Sequence, residues 1–514
     1  MKHHSSSPPL LRLCYCCLIL LCITSAARAD SPSASVSMQE RVPRFEPSAC
    51  PLPVPEGERV ECGYLFVRED RARSASSVIK LPIIILKSDS PQPAPDPVLR
   101  TLGGPGASSL RMISGRRASP WLRERDMIIF EQRGTRYAEP ALTCPEVDAA
   151  RSDSARRNLD ERTTHAREVQ AARACRARLA RQGIDLAAYN SAASAADIED
   201  LRRVLGYRQL NLYGVSYSAR LMLTVMRDYP QGIRSVVLES TLPPQVNYDE
   251  AGVDVAAATL DLLFRQCAAE RECAAAYPNL KERFYEVVRR ANARPLNVTV
   301  KQANAQSQAN AQADVTLRLK GDDVIEWAMD ELAAGGENVF KLPSEIYRLV
   351  GGDTGALASY AESKLNPGGN AWGMRYSVWC REEMPFQARR KIDAQSRRRD
   401  GLNGFTIQGA MPAICDAWGV PASPRVENAP VVSDVPTLLL AGEFDSYTPP
   451  AWARLAARTL KHSYVYELPG MGHGVGFGSR CAREAAAAFF ADPTRAPQVA
   501  CLAAMTRPKF LIKS

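Results

Sequence analysis

Histidine is scarce in this chain. There are five in 514 residues, and two of them, His3 and His4, lie at the extreme N-terminus. Chemistry that needs an imidazole base must draw it from His165, His462 or His473. Metal-ligand spacings are missing too. No His-x-x-x-His occurs, and no Cys-x-x-Cys lies beyond residue 29, so neither a zinc site nor any other metal or cofactor is expected. No segment is apolar for long enough to cross a bilayer, and the one N-terminal run is shorter than a span needs. Charge of one sign does not dominate: 65 basic against 56 acidic side chains leave +9. Arginines crowd 151–181 and Arg397 to Arg399, but without interleaved aromatics, and Asp153, Asp160, Glu161 and Glu168 share the first stretch. Both stretches read as solvated helix faces, and no nucleic-acid partner is expected.

What the chain does have begins with an export pattern. Lys2 and Arg12 precede an apolar run from Leu13 to about Thr24, and Ala27-Arg28-Ala29 gives a small-x-small cleavage site. Residues 1–29 read as a secretory signal, which implies a secreted or periplasmic protein with no stable membrane insertion after its removal. Cys22 follows Leu21, which fits a lipoprotein cleavage site poorly. Four of the fourteen cysteines lie in that segment. The other ten are an even set in an exported chain and suggest disulfides. Pairing nearest neighbours, which favours short loops, gives 50–62, 144–175, 267–273, 380–415 and 481–501.

Apolar runs read as strands at Val78 to Leu86, Pro97 to Leu102, Met127 to Phe130, Leu210 to Tyr213, Ser235 to Glu239, Thr437 to Ala441 and Tyr464 to Leu468. Helical patterns lie between several of them, notably Ala195 to Leu205 and Ser218 to Tyr229. Strands alternating with helices imply an α/β fold with a mostly parallel sheet covered on both faces. The interval 243–432 differs. It is mainly helical, with Val253 to Ala269, Leu280 to Ala291, Asp322 to Leu332 and Leu342 to Leu349, and one strand pair, Leu296 to Val300 with Val315 to Lys320. The Gln/Asn/Ala-rich Gln302 to Asp314 between those strands reads as a loop. The expected organisation is a core in two parts, 30–242 and 433–514, around an inserted domain.

The chemistry concentrates in Leu212-Tyr213-Gly214-Val215-Ser216-Tyr217-Ser218. A serine between strand and helix, with small residues two before and two after, is the pattern of a nucleophile elbow. Bulky residues at those positions would collide with the adjoining strand and helix. The N–H of Tyr217 then faces the oxygen of a bound acyl group. A serine hydroxyl needs an adjacent base. His473 stands among three glycines in Pro469-Gly470-Met471-Gly472-His473-Gly474, directly after a strand run, whereas His165 and His462 read as surface residues. The base needs an acid to fix its tautomer. Asp445 follows the run ending at Ala441, and Glu443 in the same loop is a rival. Serine, then acid, then histidine is the chain order of α/β-hydrolases. Leu102-Gly103-Gly104-Pro105-Gly106 supplies a glycine loop whose Gly104 N–H is a second oxyanion donor. No Gly-Lys-Ser/Thr follows it, which excludes a phosphate loop.

Taken together, these segments resemble the α/β-hydrolase peptidases that include prolyl aminopeptidase and the secreted tripeptidyl aminopeptidases. Gly103-Gly104-Pro105-Gly106 resembles the family's oxyanion loop, and Glu131-Gln132-Arg133-Gly134 its Asp-Gln-Arg-Gly turn. Gly214 to Ser218 resembles the elbow, Gly442 to Asp445 with Thr448-Pro449 the acid loop, and Gly472-His473-Gly474 the base. Cys380-Arg381-Glu382-Glu383 and Cys415-Asp416-Ala417-Trp418 are similar to the tripeptidyl-type C-terminal region. Three positions depart: Leu102 replaces a histidine, Ser218 the last elbow glycine, and Glu131 an aspartate. The resemblance implies an α/β-hydrolase whose triad is Ser216, Asp445 and His473, with the insert as a cap. It implies removal of residues or short peptides from free peptide N-termini. Glu382 and Glu383, with Glu239 and Glu443 behind them, are then candidates to bind the α-amine. The rival expectations are a carboxylesterase acting on a small acyl substrate with the same triad, and a non-catalytic binding protein on the hydrolase fold.

Overall fold

The computed structural model describes residues 41–301, 314–398, 401–402, 405–407 and 412–512. The signal-like segment, most of the Gln302 to Asp314 stretch and Arg399 lie outside them. Eleven strands occur among the described residues: β1 (Arg44–Pro47), β2 (Val60–Arg68), β3 (Val78–Leu86), β4 (Val98–Thr101), β5 (Met127–Phe130), β6 (Leu210–Val215), β7 (Ile233–Glu239), β8 (Leu296–Val300), β9 (Val315–Leu319), β10 (Thr437–Gly442) and β11 (Ser463–Leu468). Nine form one sheet in the order β1-β2-β3-β5-β4-β6-β7-β10-β11. The first three strands run antiparallel to their neighbours, and β5, β4, β6, β7, β10 and β11 run parallel to one another. Helices cover both faces, and the fold is that of an α/β-hydrolase.

Side chains of the central strands alternate between two apolar layers. Leu99, Ile128, Leu212, Val236 and Leu439 pack on one face with the helices Ser191–Val204, Tyr217–Asp228 and Pro450–Ala457. Val98, Met127, Ile129, Tyr213, Val237, Leu438 and Leu440 pack on the other with Ala482, Ala486, Phe489 and Phe490 of the helix Arg480–Ala491. With both faces buried, these strands read as continuous apolar runs, and that made them legible. β1 and β2 were not anticipated. β2 lies near the sheet edge, mixes buried with partly exposed positions, and carries Glu61, Gly63 and Arg68 among its apolar residues, so it shows no such run.

The register brings strand ends together. Thr101 pairs with Gly214, Val215 with Glu239, Leu440 with Glu239, and Gly442 with Leu468. The loops leaving β4, β6, β7, β10 and β11 therefore emerge side by side at one rim, where open parallel sheets place their ligands. Between β7 and β10 lie the β8–β9 hairpin and, among the described residues, helices that include Tyr248–Ala269, Leu280–Ala293, Gly321–Ala334, Glu337–Val350 and Trp372–Glu382. The hairpin and the first four of these helices share an apolar core around Leu260, Phe264, Phe284, Val288, Trp327, Leu332 and Phe340, whereas Trp372–Glu382 packs in a separate cluster with Leu142, Leu179 and Trp418.

All five expected disulfides are present: Cys50–Cys62, Cys144–Cys175, Cys267–Cys273, Cys380–Cys415 and Cys481–Cys501. Among the described residues no helix is long and apolar enough to cross a membrane. The arginine-rich stretch 151–181 is only partly solvated. Arg151 lies 3.8 Å over the ring of Trp372 and pairs with Glu168, and Arg178 pairs with Glu146.

Candidate active site

Ser216 sits between β6 and the helix Tyr217–Asp228 with φ 61° and ψ −127°. A non-glycine residue in this region carries strain of about 1–3 kcal/mol, held only by its surroundings. Those surroundings are local. A Cβ on Gly214 would lie 2.4 Å from the Ser218 carbonyl oxygen, so only glycine fits two before the serine. Ser218 Oγ accepts the Val215 N–H at 2.7 Å and lies 2.9 Å from the carbonyls of Thr101 and Val215. A serine thus replaces the usual small elbow residue and ties the turn to β4. The Ser216 N–H donates to the Glu239 carbonyl at 3.0 Å.

His473 Nδ1 lies 3.0 Å from each carboxylate oxygen of Asp445. Asp445 is wholly buried. It also accepts the Tyr447 N–H at 3.0 Å, the Thr448 N–H at 2.8 Å and the Thr448 hydroxyl at 2.8 Å. Burial alone would push its carboxyl up, but the charge and hydrogen bond of His473, with the Thr448 N–H, hold it below its ordinary value. Burial would likewise lower His473. The charge and bond of Asp445, with the Glu239 charge behind, raise it above the usual imidazole range. An Nδ1–H donated to Asp445 leaves Nε2 as the free basic nitrogen. No hydrogen bond joins Ser216 to His473 in this structure, and such links commonly tighten only with substrate bound. His165 and His462 are exposed.

The glycine loop leans on the elbow. A Cβ on Gly103 would come 2.6 Å from the Val215 carbonyl and 2.8 Å from the Tyr217 nitrogen. Tyr217 opens its helix, so its N–H has no intrahelical acceptor. Gly104 has φ 111° and its carbonyl accepts a bond from Arg375 Nη1 at 2.7 Å. The Glu131-Gln132-Arg133-Gly134 turn holds this loop from behind. Gln132 Nε2 donates to the Leu102 carbonyl at 2.6 Å, Glu131 accepts the Ser109 N–H at 2.7 Å, and buried Arg133 is clamped on Asp197 at 2.7 Å.

The helical insert reaches the same rim. The His473 N–H donates to the Ala333 carbonyl at 2.6 Å, and Ser446 Oγ donates to the Met329 carbonyl at 2.7 Å. Ala333 lies in the last turn of the helix Gly321–Ala334, where carbonyls lack intrahelical donors, and Met329 lies one turn earlier. Phe444, beside Asp445, is buried in the insert's apolar core. The Tyr447 ring stands edge-on to His473, with centroids 5.5 Å apart, and its hydroxyl donates to Asp330. The Ala371 N–H donates to the Gly106 carbonyl at 2.9 Å. Sequence reasoning missed Thr448, Tyr447 and Arg375 as parts of this site. Only the Thr448-Pro449 pair gave a signal, as one portion of the acid-loop pattern.

The four glutamates are all engaged within the protein. Glu382 accepts the Ser191 N–H at 2.7 Å and the Ser191 hydroxyl at 2.6 Å. That hydroxyl also meets Tyr217 Oη at 2.8 Å. Glu383 pairs with buried Arg220 and accepts the Tyr248 N–H at 3.0 Å, and burial pushes its carboxyl up to about 7. Glu239 accepts the Gly476 N–H at 2.6 Å and the Tyr213 hydroxyl at 2.5 Å. Glu443 pairs with Arg507 and accepts bonds from Gln266 at 2.7 Å and the Gly470 N–H at 2.9 Å. Of the two carboxylates sharing the acid loop, Asp445 is therefore the one seated on His473.

Comparison with known proteins adds relatives. A family model described as "TAP-like protein" matches residues 406–501. The chain is 24% identical over 478 residues to "Serine protease Hip1" of Mycobacterium tuberculosis, covering 85% of this chain and 86% of that protein. It is 26% identical over 196 residues to "Tripeptidyl aminopeptidase" of Streptomyces lividans, covering 36% of each. Among solved structures, proline iminopeptidase of Mycobacterium smegmatis aligns with a TM-score of 0.41 and 13% identity, over 84% of this chain and 98% of that one.

Proposed function

We propose that this serine hydrolase is an exported aminopeptidase that releases residues or short peptides from free N-termini through an acyl-enzyme. The observation that carries the reading is the buried Asp445 carboxylate seated 3.0 Å from His473 Nδ1 at the rim where the strained Ser216 turn emerges. Ser216 Oγ bonds to the scissile carbonyl carbon as His473 Nε2 takes its proton. The N–H groups of Gly104 and Tyr217 hold the oxyanion, each contributing about 3 kcal/mol to the transition state. His473 then protonates the leaving amine, and water, activated by the same imidazole, releases the acyl product. A carboxylesterase would use the same machinery. The relatives named as a serine protease and a tripeptidyl aminopeptidase favour the peptidase. A non-catalytic binding protein would have no use for a strained serine and a seated imidazole.

The insert, residues 243–432, acts in this reading as a cap that restricts access and holds the loops carrying Asp445 and His473. Five disulfides fit an oxidising compartment. Recognition of a free α-amine calls for a carboxylate, and Glu382 and Glu383 are the cap's candidates. An ammonium there has to share its carboxylate with Arg220 or Ser191.

The test is a panel of N-terminally free and blocked peptide anilides beside simple nitrophenyl esters, with fluorophosphonate labelling of wild type and Ser216→Ala. Cleavage of free but not blocked peptides, with labelling lost in Ser216→Ala, is the expected result. Ester turnover without any anilide cleavage would replace the reading with the esterase. Persistent labelling of Ser216→Ala would remove Ser216 as the nucleophile.

A further inference from the structure

Glu239 ends β7 between the two halves of the site, and its side chain is wholly buried. Its backbone carbonyl accepts the Ser216 N–H at 3.0 Å. Its carboxylate accepts the Gly476 N–H at 2.6 Å through Oε1 and the Tyr213 hydroxyl at 2.5 Å through Oε2. The next residue, Ser240, accepts the Gly474 N–H on its hydroxyl at 2.8 Å. Gly474 and Gly476 are the turn that directly follows His473. A Cβ at position 476 would lie 2.6 Å from Tyr213 Oη and 2.8 Å from Glu239 Oε2, so glycine there is what lets the amide reach the carboxylate. One dipeptide thus grips the nucleophile turn with a carbonyl and the base loop with two side chains. A carboxylate kept only to fill space would be an expensive choice in a buried position.

We infer that Glu239 is a positioning residue, which fixes the base loop against the nucleophile turn and places a negative charge behind His473. The inference rests on the serine-hydrolase reading of the site, and it gives Glu239 a role other than binding the substrate amine. The charged and titratable groups around it are few. His473 faces Asp445 and Tyr447 from the acid loop and the Glu239 charge from β7. Glu239 has Tyr213 of β6 against one oxygen. Arg100 of β4 stacks on that tyrosine at 4.6 Å, and Arg483 of the helix Arg480–Ala491 donates to the Gly476 carbonyl at 2.7 Å. Asp445 is the main charge raising His473, and Glu239 acts in the same direction.

The test is Glu239→Gln, which keeps the shape and an acceptor for Gly476 but removes the charge. The working base is neutral imidazole, so kcat/KM rises with pH through the His473 value. Loss of a nearby negative charge lowers that value, and the acid limb is expected to move to lower pH. A limb that superimposes on wild type overturns the inference. Should the Gln variant not fold, Tyr213→Phe frees one carboxylate oxygen while leaving the charge. It is expected to lower kcat several-fold at unchanged KM, and an unchanged kcat overturns the positioning role. Ser216→Ala is measured alongside. If it retains turnover, the reading of the whole site fails, which is distinct from failure of the Glu239 assignment.

Discussion

Ser216 and the Asp445–His473 pair occupy one rim but are held there in different ways. The serine is fixed by residues within a few positions of itself and by the strands on either side: Gly214, Ser218, and the carbonyls of Thr101 and Glu239. The pair is fixed by a distant segment. Ser446 bonds to Met329, 117 residues away, His473 bonds to Ala333, and Phe444 is buried among the insert's own side chains. The nucleophile turn is a product of local backbone geometry on a rigid sheet. Asp445 and His473 sit on loops anchored on the helix Gly321–Ala334 from one side and, after His473, on Glu239 and Ser240 from the other. In the proposed reading the insert is then part of the catalytic scaffold as well as a cap. Changes in it should reach the chemistry through the base.

Three substitutions sharpen that contrast. Asp445→Asn should have the largest effect, a fall in kcat of about 10⁴-fold, because the imidazole loses the partner that fixes its tautomer. Its pH signature follows from the signs. Asp445 is held below its ordinary value, so its contribution to stability is present above the usual carboxylate range and is lost as pH falls through the depressed value. His473 is raised, so its contribution is present below the usual imidazole range and is lost as pH rises through the raised value. The Tm difference between wild type and Asp445→Asn should therefore be widest between those two values and shrink on either side. A difference independent of pH would mean that the pair carries no charge.

Phe444→Ala should cost about 3–5 kcal/mol in urea unfolding, as an aromatic removed from a packed core. It should also lower kcat about tenfold under folding conditions, since Asp445 loses its adjacent anchor. An unaltered kcat would break the claim that the insert holds the acid loop. Gly214→Ala should have the smallest effect of the three on stability, about 1–3 kcal/mol, from a methyl forced against the Ser218 carbonyl. Its damage should fall on the nucleophile, seen as slower fluorophosphonate labelling with the acid limb of the pH profile unmoved. A shifted limb would show that elbow and base are one mechanical unit.

Much of this molecule can be read along the chain. The parallel strands buried on both faces announce themselves as apolar runs, because no position in them faces water. The order of serine, acid and histidine follows from which strand each loop leaves. Nearest-neighbour cysteine pairing met the structure because every bridge closes a short loop, with separations from 6 to 35 residues. β1 and β2 escaped because partly exposed strands near a sheet edge carry charges that hide their period. The carboxylates could be sorted from sequence only in part: the acid-loop pattern singled out Asp445 over Glu443, but the partners of the others were not legible. Asp445 and Glu443 stand two residues apart, yet one meets His473 and the other meets Arg507. Glu382 and Glu383 are adjacent, yet one bonds Ser191 and the other Arg220. A side chain's type and its strand are local properties of the chain, and the sequence by itself determined them. What a buried carboxylate does depends on which donor is packed against it, and His473 lies 28 residues from Asp445 and Ser191 lies 191 from Glu382, so only the tertiary structure decided it.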